Sequence, residues 1–143
     1  RVERRPVKWN NPVWLRPEVK VTFLAAPHPD GSSVLDLSVF GRHICLLCDF
    51  EHNTDFPEEI LENCDLLLYD GMYTDEEYPE HINWGHSTWQ EGCRLANRAG
   101  VDRLMIIHHE PGRTDVQLRE MEKEAKKLFP SSVFARAGMK INV

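Results

Sequence analysis

Apolar positions along this chain follow two periods, and the change between them divides it into strands and helices. From Val19 to Ala26, Val21, Phe23 and Ala25 alternate with more polar neighbours, which predicts a strand. His28-Pro29-Asp30-Gly31 breaks it. Residues 34–40 carry Val34, Leu35, Leu37, Val39 and Phe40, and residues 43–48 form the next apolar run. Gly41-Arg42 lies between them as a two-residue turn, so the pair reads as a hairpin. Residues 64–69 and 103–107 are almost wholly apolar, as in strands covered on both faces. Two short strands are predicted at the end, over 133–136 and 140–143.

The helical period appears in three places. Asp55 and Pro57 open a short helix through Leu61, because proline suits the first helical turn. Residues 88–99 place Trp89, Cys93 and Ala96 on one stripe, with Gly100 as the C-terminal cap. Thr114 and Gln117 form a capping box that starts a further helix. Its Leu118, Met121, Ala125 and Leu128 face inward, and Pro130 ends it. The predicted order is βββ-α-β-α-β-α-ββ, an α/β layer with a mixed sheet and helices on one face.

With 143 residues the chain can build one domain with a real core. Residues 1–18 hold three prolines, two tryptophans and the basic cluster Arg1, Arg4 and Arg5, and read as a connecting segment before a domain over 19–143. A start at Arg1 rather than Met reads as a processed or trimmed chain. The net charge of −6 argues against a general nucleic-acid or membrane-surface binder, which needs a clustered basic excess. No apolar run approaches the ~20 residues that span a bilayer, and no segment has a signal-peptide pattern. Cys45 and Cys48 form a C-x-x-C pair, but on a strand positions three apart face opposite ways, so core positions are expected. Such cysteine usage suits a reducing cytoplasm.

Strand direction locates the candidate chemistry. The first strand runs up, the second down and the third up. Helical crossovers then make the two buried strands run up as well. His28 follows the first strand, Asp49 ends the third, Asp70 ends the fourth and His108 ends the fifth. Imidazoles and carboxylates thus converge on one sheet edge, where open α/β sheets bind ligands, and together they suit zinc, manganese or iron. His86 joins them if the 81–87 loop reaches back over that edge. His43 is expected to face solvent, His52 to sit in a loop, and His109 to point away from His108. Asp75-Glu76-Glu77 after Thr74 reads as a short solvated helix, and Tyr73, Tyr78 and Trp84 as pocket or core aromatics.

The segments PHPDG at 27–31, LLCDFEH at 46–52, LLLYDGMYTDEEY at 66–78, WGHSTW at 84–89 and LMIIHHEP at 104–111 resemble the C-terminal half of a metallo-β-lactamase-fold hydrolase. The resemblance is to the branch with ribonuclease Z and related phosphodiesterases. It implies an αββα sandwich of which this chain forms half. By position it implies that His28 is a ligand of one metal, Asp49 a carboxylate bridging two metals, and His108 a ligand of the other. It further implies that His86 is the histidine of the His-Ser-Thr motif, which protonates the leaving group or steadies the phosphate, and that Asp70 orients it. The implied cofactor is a pair of divalent ions, zinc foremost, with a bridging hydroxide as nucleophile. The implied substrate is a small phosphoester or nucleotide-type molecule.

The chain lacks the family's His-x-His-x-Asp-His run. It offers His28 and Asp49 to one ion and Asp49 and His108 to the other, fewer than the three protein ligands usual in catalytic zinc sites. The chain alone is therefore expected to bind metal weakly and to be inactive. Half of a two-sheet fold also exposes an apolar face. The expected partner is a missing N-terminal half, a second chain with the remaining ligands, or a second copy in a homodimer. The alternative is a non-catalytic half-fold that serves as an interaction or assembly module.

Overall fold

The computed structural model describes residues 7–52 and 55–143. Seven strands build one sheet whose spatial order follows the chain. They are β1 (Val13–Arg16), β2 (Val19–Ala26), β3 (Ser32–Val39), β4 (Arg42–Leu47), β5 (Leu66–Asp70), β6 (Leu104–Ile107) and β7 (Ser132–Phe134). The first four pair antiparallel, and β4 to β7 pair parallel. Strands β2, β4, β5, β6 and β7 therefore all point the same way, so their C-terminal ends share one edge.

Two helices cover one face: α1 (Trp89–Ala99) and α2 (Asp115–Leu128). Cap chemistry fixes their ends. Thr88 accepts the Glu91 N–H, and Gly100, at φ +67°, closes α1 in the left-handed conformation. Thr114 and Gln117 satisfy each other's backbone N–H at the start of α2. The core lies between these helices and the sheet. Cys45, Leu47, Leu67, Tyr69, Leu104, Ile106 and Phe134 meet Cys93, Ala96 and Ala125 there, all buried. Burying a side chain such as Leu104 or Ile106 contributes about 1.5–3 kcal/mol. Residue 92 is glycine because α1 lies very close to the sheet: a Cβ there would sit 2.6 Å from Tyr69 Cδ1.

The architecture is the expected α/β layer with a mixed sheet, but several elements differ from the sequence reading. A short strand, β1, falls inside the segment read as a connector. The hairpin turn is at Phe40 and Gly41, both at positive φ, rather than at Gly41-Arg42, and Arg42 already belongs to β4. Residues 140–143 form no strand. Asp75-Glu76-Glu77 lies in a turn, followed by a single 3-10 turn at Tyr78–Glu80. The helix expected after Pro57 is also 3-10, at Glu58–Leu61. The cluster Arg1, Arg4 and Arg5 lies outside the described residues.

Candidate active site

Four predicted residues meet at the sheet edge. Asp49 stands two residues past β4, Asp70 is the last residue of β5, and His108 directly follows β6. His86 arrives from the loop that leads into α1. One potential ligand atom from each of these four lies within 4.8 Å of the others. The chain turns sharply to bring two of them in: Asp49 has φ +48° and His108 φ +56°, both in the left-handed region that side chains other than glycine rarely adopt.

Asp70 is the hub. It is fully buried, and its Oδ2 accepts from His86 Nδ1 at 3.0 Å and from His108 Nδ1 at 3.1 Å. Its Oδ1 accepts the N–H of Met72 at 3.2 Å and of Ser87 at 3.4 Å. Burial opposes ionisation of this carboxyl, but the hydrogen bonds from His108 and His86 outweigh it and hold its pKa below the usual carboxylate range. The same contact works in reverse on His108. The bond to Asp70 raises its pKa against the opposing effect of burial, with Asp70 and Asp49 adding negative charge nearby. With each Nδ1–H committed to Asp70, each imidazole presents Nε2 away from it, which is how a carboxylate fixes a histidine's tautomer and orientation. Asp49 Oδ1 lies 3.5 Å from His108 Nδ1 and 3.9 Å from His86 Nδ1.

The loop bearing His86 is held by a residue the sequence reading passed over. Glu51 is 4% exposed and accepts the N–H of Asn83 at 2.6 Å and of Gly85 at 2.9 Å, and the Tyr78 hydroxyl at 2.7 Å. Ser87 adds a second anchor. Its Oγ lies 2.6 Å from the Tyr69 hydroxyl and 2.7 Å from His52 Nδ1, so His52 supports the His-Ser-Thr turn from behind. Burial lowers the His52 pKa, favouring the neutral ring. The only available hint was position: Glu51 and His52 closely follow Asp49 in the loop after β4.

His28 lies beside the four-residue group, outside it. Its ring packs edge-on against His86, with centroids 5.7 Å apart, and the Asp30 N–H donates to its Nδ1 at 3.2 Å. Residue 85 must be glycine for this approach. Its φ is +88°, and a Cβ there would fall 2.2 Å from His28 Cδ2. His109 turns away from His108, stacks on Phe134 and reaches the Ala135 carbonyl. Tyr73 is buried, with His81 stacked on it, while Trp84 is exposed. His43, expected in solvent, is instead half-buried and hydrogen-bonded to Asp36.

The donor chemistry fits a divalent metal: two carboxylates and two imidazoles at a half-open edge, with histidines already oriented by a buried carboxylate. Among the described residues no helix is long and apolar enough to cross a membrane.

Comparison with known proteins agrees with this arrangement. Residues 1–109 match the family model described as the beta-lactamase superfamily domain. A ribonuclease Z from Gemmatimonas aurantiaca is 35% identical over 120 residues, covering 80% of this chain and 38% of the relative. The chain thus spans well under half of that relative's length. The metallo-beta-lactamase fold protein YhfI from Bacillus subtilis superposes with a TM-score of 0.74 at 22% identity, over 92% of this chain and 52% of YhfI. Zn2+-bound PqqB from Methylobacterium extorquens does so with a TM-score of 0.72 at 14% identity, over 99% of this chain and 53% of PqqB. These two likenesses establish the fold. The sheet with its helices corresponds to about half of a metallo-beta-lactamase fold, and with the family model matched over most of its length, the chain belongs to the beta-lactamase superfamily.

Proposed function

We propose that this chain supplies the C-terminal half of the active site of a metal-dependent phosphodiesterase. The observation that carries the reading is the buried Asp70, which orients His86 and His108 together beside Asp49. In this reading His108, Asp49 and His28 hold two divalent ions, zinc in the first instance. When bound, such ions activate a water molecule near neutral pH and neutralise charge developing on the phosphate. The similarity to a ribonuclease Z and to a Zn2+-bound neighbour supports both the metal and the phosphoester substrate class.

The chain's own residues do the rest. Asp70 keeps the Nδ1 proton of His86, so Nε2 is the atom that faces substrate and can pass a proton to the leaving oxygen. Glu51 and Ser87 hold the loop so that His86 keeps this position. The remaining metal ligands come from outside this chain, either from a longer polypeptide or from a second one. Without them each ion has two ligands here, and the chain alone is inactive.

His86→Ala tests the assignment in the complete enzyme. Turnover of a phosphodiester should fall about 10²- to 10⁴-fold while metal content stays unchanged. Loss of metal on this substitution would make His86 a ligand and overturn its role as proton donor.

A further inference from the structure

A second cluster of metal-type ligands lies at the opposite end of β4. His43 and Cys45 are two residues apart on one strand and share its helix-facing side, and Cys64 comes from the turn that enters β5. One ligand atom of each lies within 4.8 Å of the other two. Cys45 Sγ is 3.3 Å from His43 Nε2, and Asp36, directly across from Cys45 on β3, places Oδ1 3.0 Å from that same nitrogen. A tetrahedral zinc ion with ordinary Zn–S and Zn–N bonds sets its ligand atoms about 3.5–3.8 Å apart. The observed spacing needs only small side-chain shifts to match.

The imidazole is already oriented for this. His43 Nδ1 lies 3.2 Å from the Glu62 carbonyl, which can only accept, so Nδ1 carries a proton and Nε2 is the ring atom turned toward the sulfur and the Asp36 carboxylate. Both cysteines are buried: Cys45 Sγ has His43 Nε2 at 3.3 Å and the Ile60 carbonyl at 3.8 Å, and Cys64 Sγ has the His43 carbonyl at 3.8 Å. His43 and Asp36 remain about a quarter exposed, which leaves an entry path.

We infer that His43, Cys45 and Cys64, with Asp36 closing the fourth position, form a structural site for zinc or another thiophilic divalent ion. Soft thiolates separate it chemically from the His/Asp site beyond the other end of the strand, four to six residues further along the chain. Its role is to clamp the 58–64 segment onto the β3–β4 hairpin.

The test is cobalt(II) added to the purified, reduced and metal-stripped polypeptide. A thiolate-to-cobalt charge-transfer band in the near ultraviolet is expected, lost in Cys45→Ser and Cys64→Ser and kept in Cys48→Ser, Cys93→Ser and Asp49→Asn. Because a buried serine can prevent folding, His43→Gln is included, and cobalt affinity should fall at least about tenfold with the circular dichroism unchanged. Absence of the band in the parent protein overturns the inference. So does a band that survives Cys45→Ser or disappears with Cys48→Ser, or a folded His43→Gln that binds cobalt as the parent does.

Discussion

At the residue scale, this site is built on unfavourable backbone. Asp49 and His108 both sit at positive φ, where a side chain costs about 1 kcal/mol. Asp49 also brings a second carboxylate beside the buried Asp70. On the proposed function, a bound cation would offset the second of these costs. Asp49→Gly should therefore stabilise the metal-free protein by about 1 kcal/mol, roughly 3 °C in Tm, while reducing the metal content of the complete enzyme. A lower Tm, or unchanged metal content, would refute this account. The meeting of Asp49, Asp70 and His108 was legible because parallel strands end at one edge and each residue ends or follows such a strand. Glu51 was not legible. Its partners include backbone N–H groups 32 and 34 residues away, which no side-chain pattern records. The His43 cluster was missed for a related reason: the cysteine that meets Cys45 is Cys64, while the C-x-x-C spacing draws attention to Cys48.

At the element scale, helix ends were legible where the capping residue is distinctive, as with the left-handed backbone of Gly100 and the Thr114 side chain. Strands were legible where both neighbours hold them and poorly so at the margins. The short β1, between Pro12 and Pro17, is defined only by pairing with β2. The alternation at residues 140–143 is equally short and has no partner strand among the described residues. The last strand, β7, depends on α2. Glu122 accepts the Phe134 N–H at 3.2 Å and pairs with Arg136 and Lys126 at 2.6 Å each. Burial works against ionisation of Glu122, but Lys126, the Phe134 N–H and Arg136 prevail and hold its pKa below the usual glutamate value of 4.5. A pKa depressed by folding adds stability above the unfolded value and loses it as pH falls through the folded one. Glu122→Gln should thus cost about 1–2 kcal/mol at pH 7, with the difference from the parent shrinking below pH 4.5. Urea unfolding across that range measures it. A difference that does not change with pH would mean that packing, and not the charge, joins α2 to β7.

At the scale of the whole molecule, the sheet has one finished face and one unfinished face. The helices cover Cys45, Leu67, Leu104 and their neighbours. On the other face Leu46, Leu68, Met105 and Val133 form one cross-strand row, with Leu35, Leu37 and Ile44 alongside. Of these seven only Met105 is buried, and no described helix covers them. Soluble monomers seldom expose so continuous an apolar surface. The chain also spans 38% of its ribonuclease Z relative and about half of the solved neighbours. On the proposed function, one polypeptide would both bring the remaining ligands and cover this half-open face of the sheet. Leu68, at the centre of the row, separates this from a free-standing module. In the 143-residue chain alone, Leu68→Lys should improve solubility and reduce self-association, because it places a charge on a partly exposed apolar face. In the complete protein the same lysine would be trapped between two layers without a partner, and should destabilise it by about 3 kcal/mol or more. Light scattering on the first and chemical denaturation of the second give the two readings. If both proteins tolerate the substitution equally, nothing covers this face, and the remaining metal ligands must be sought somewhere other than across it.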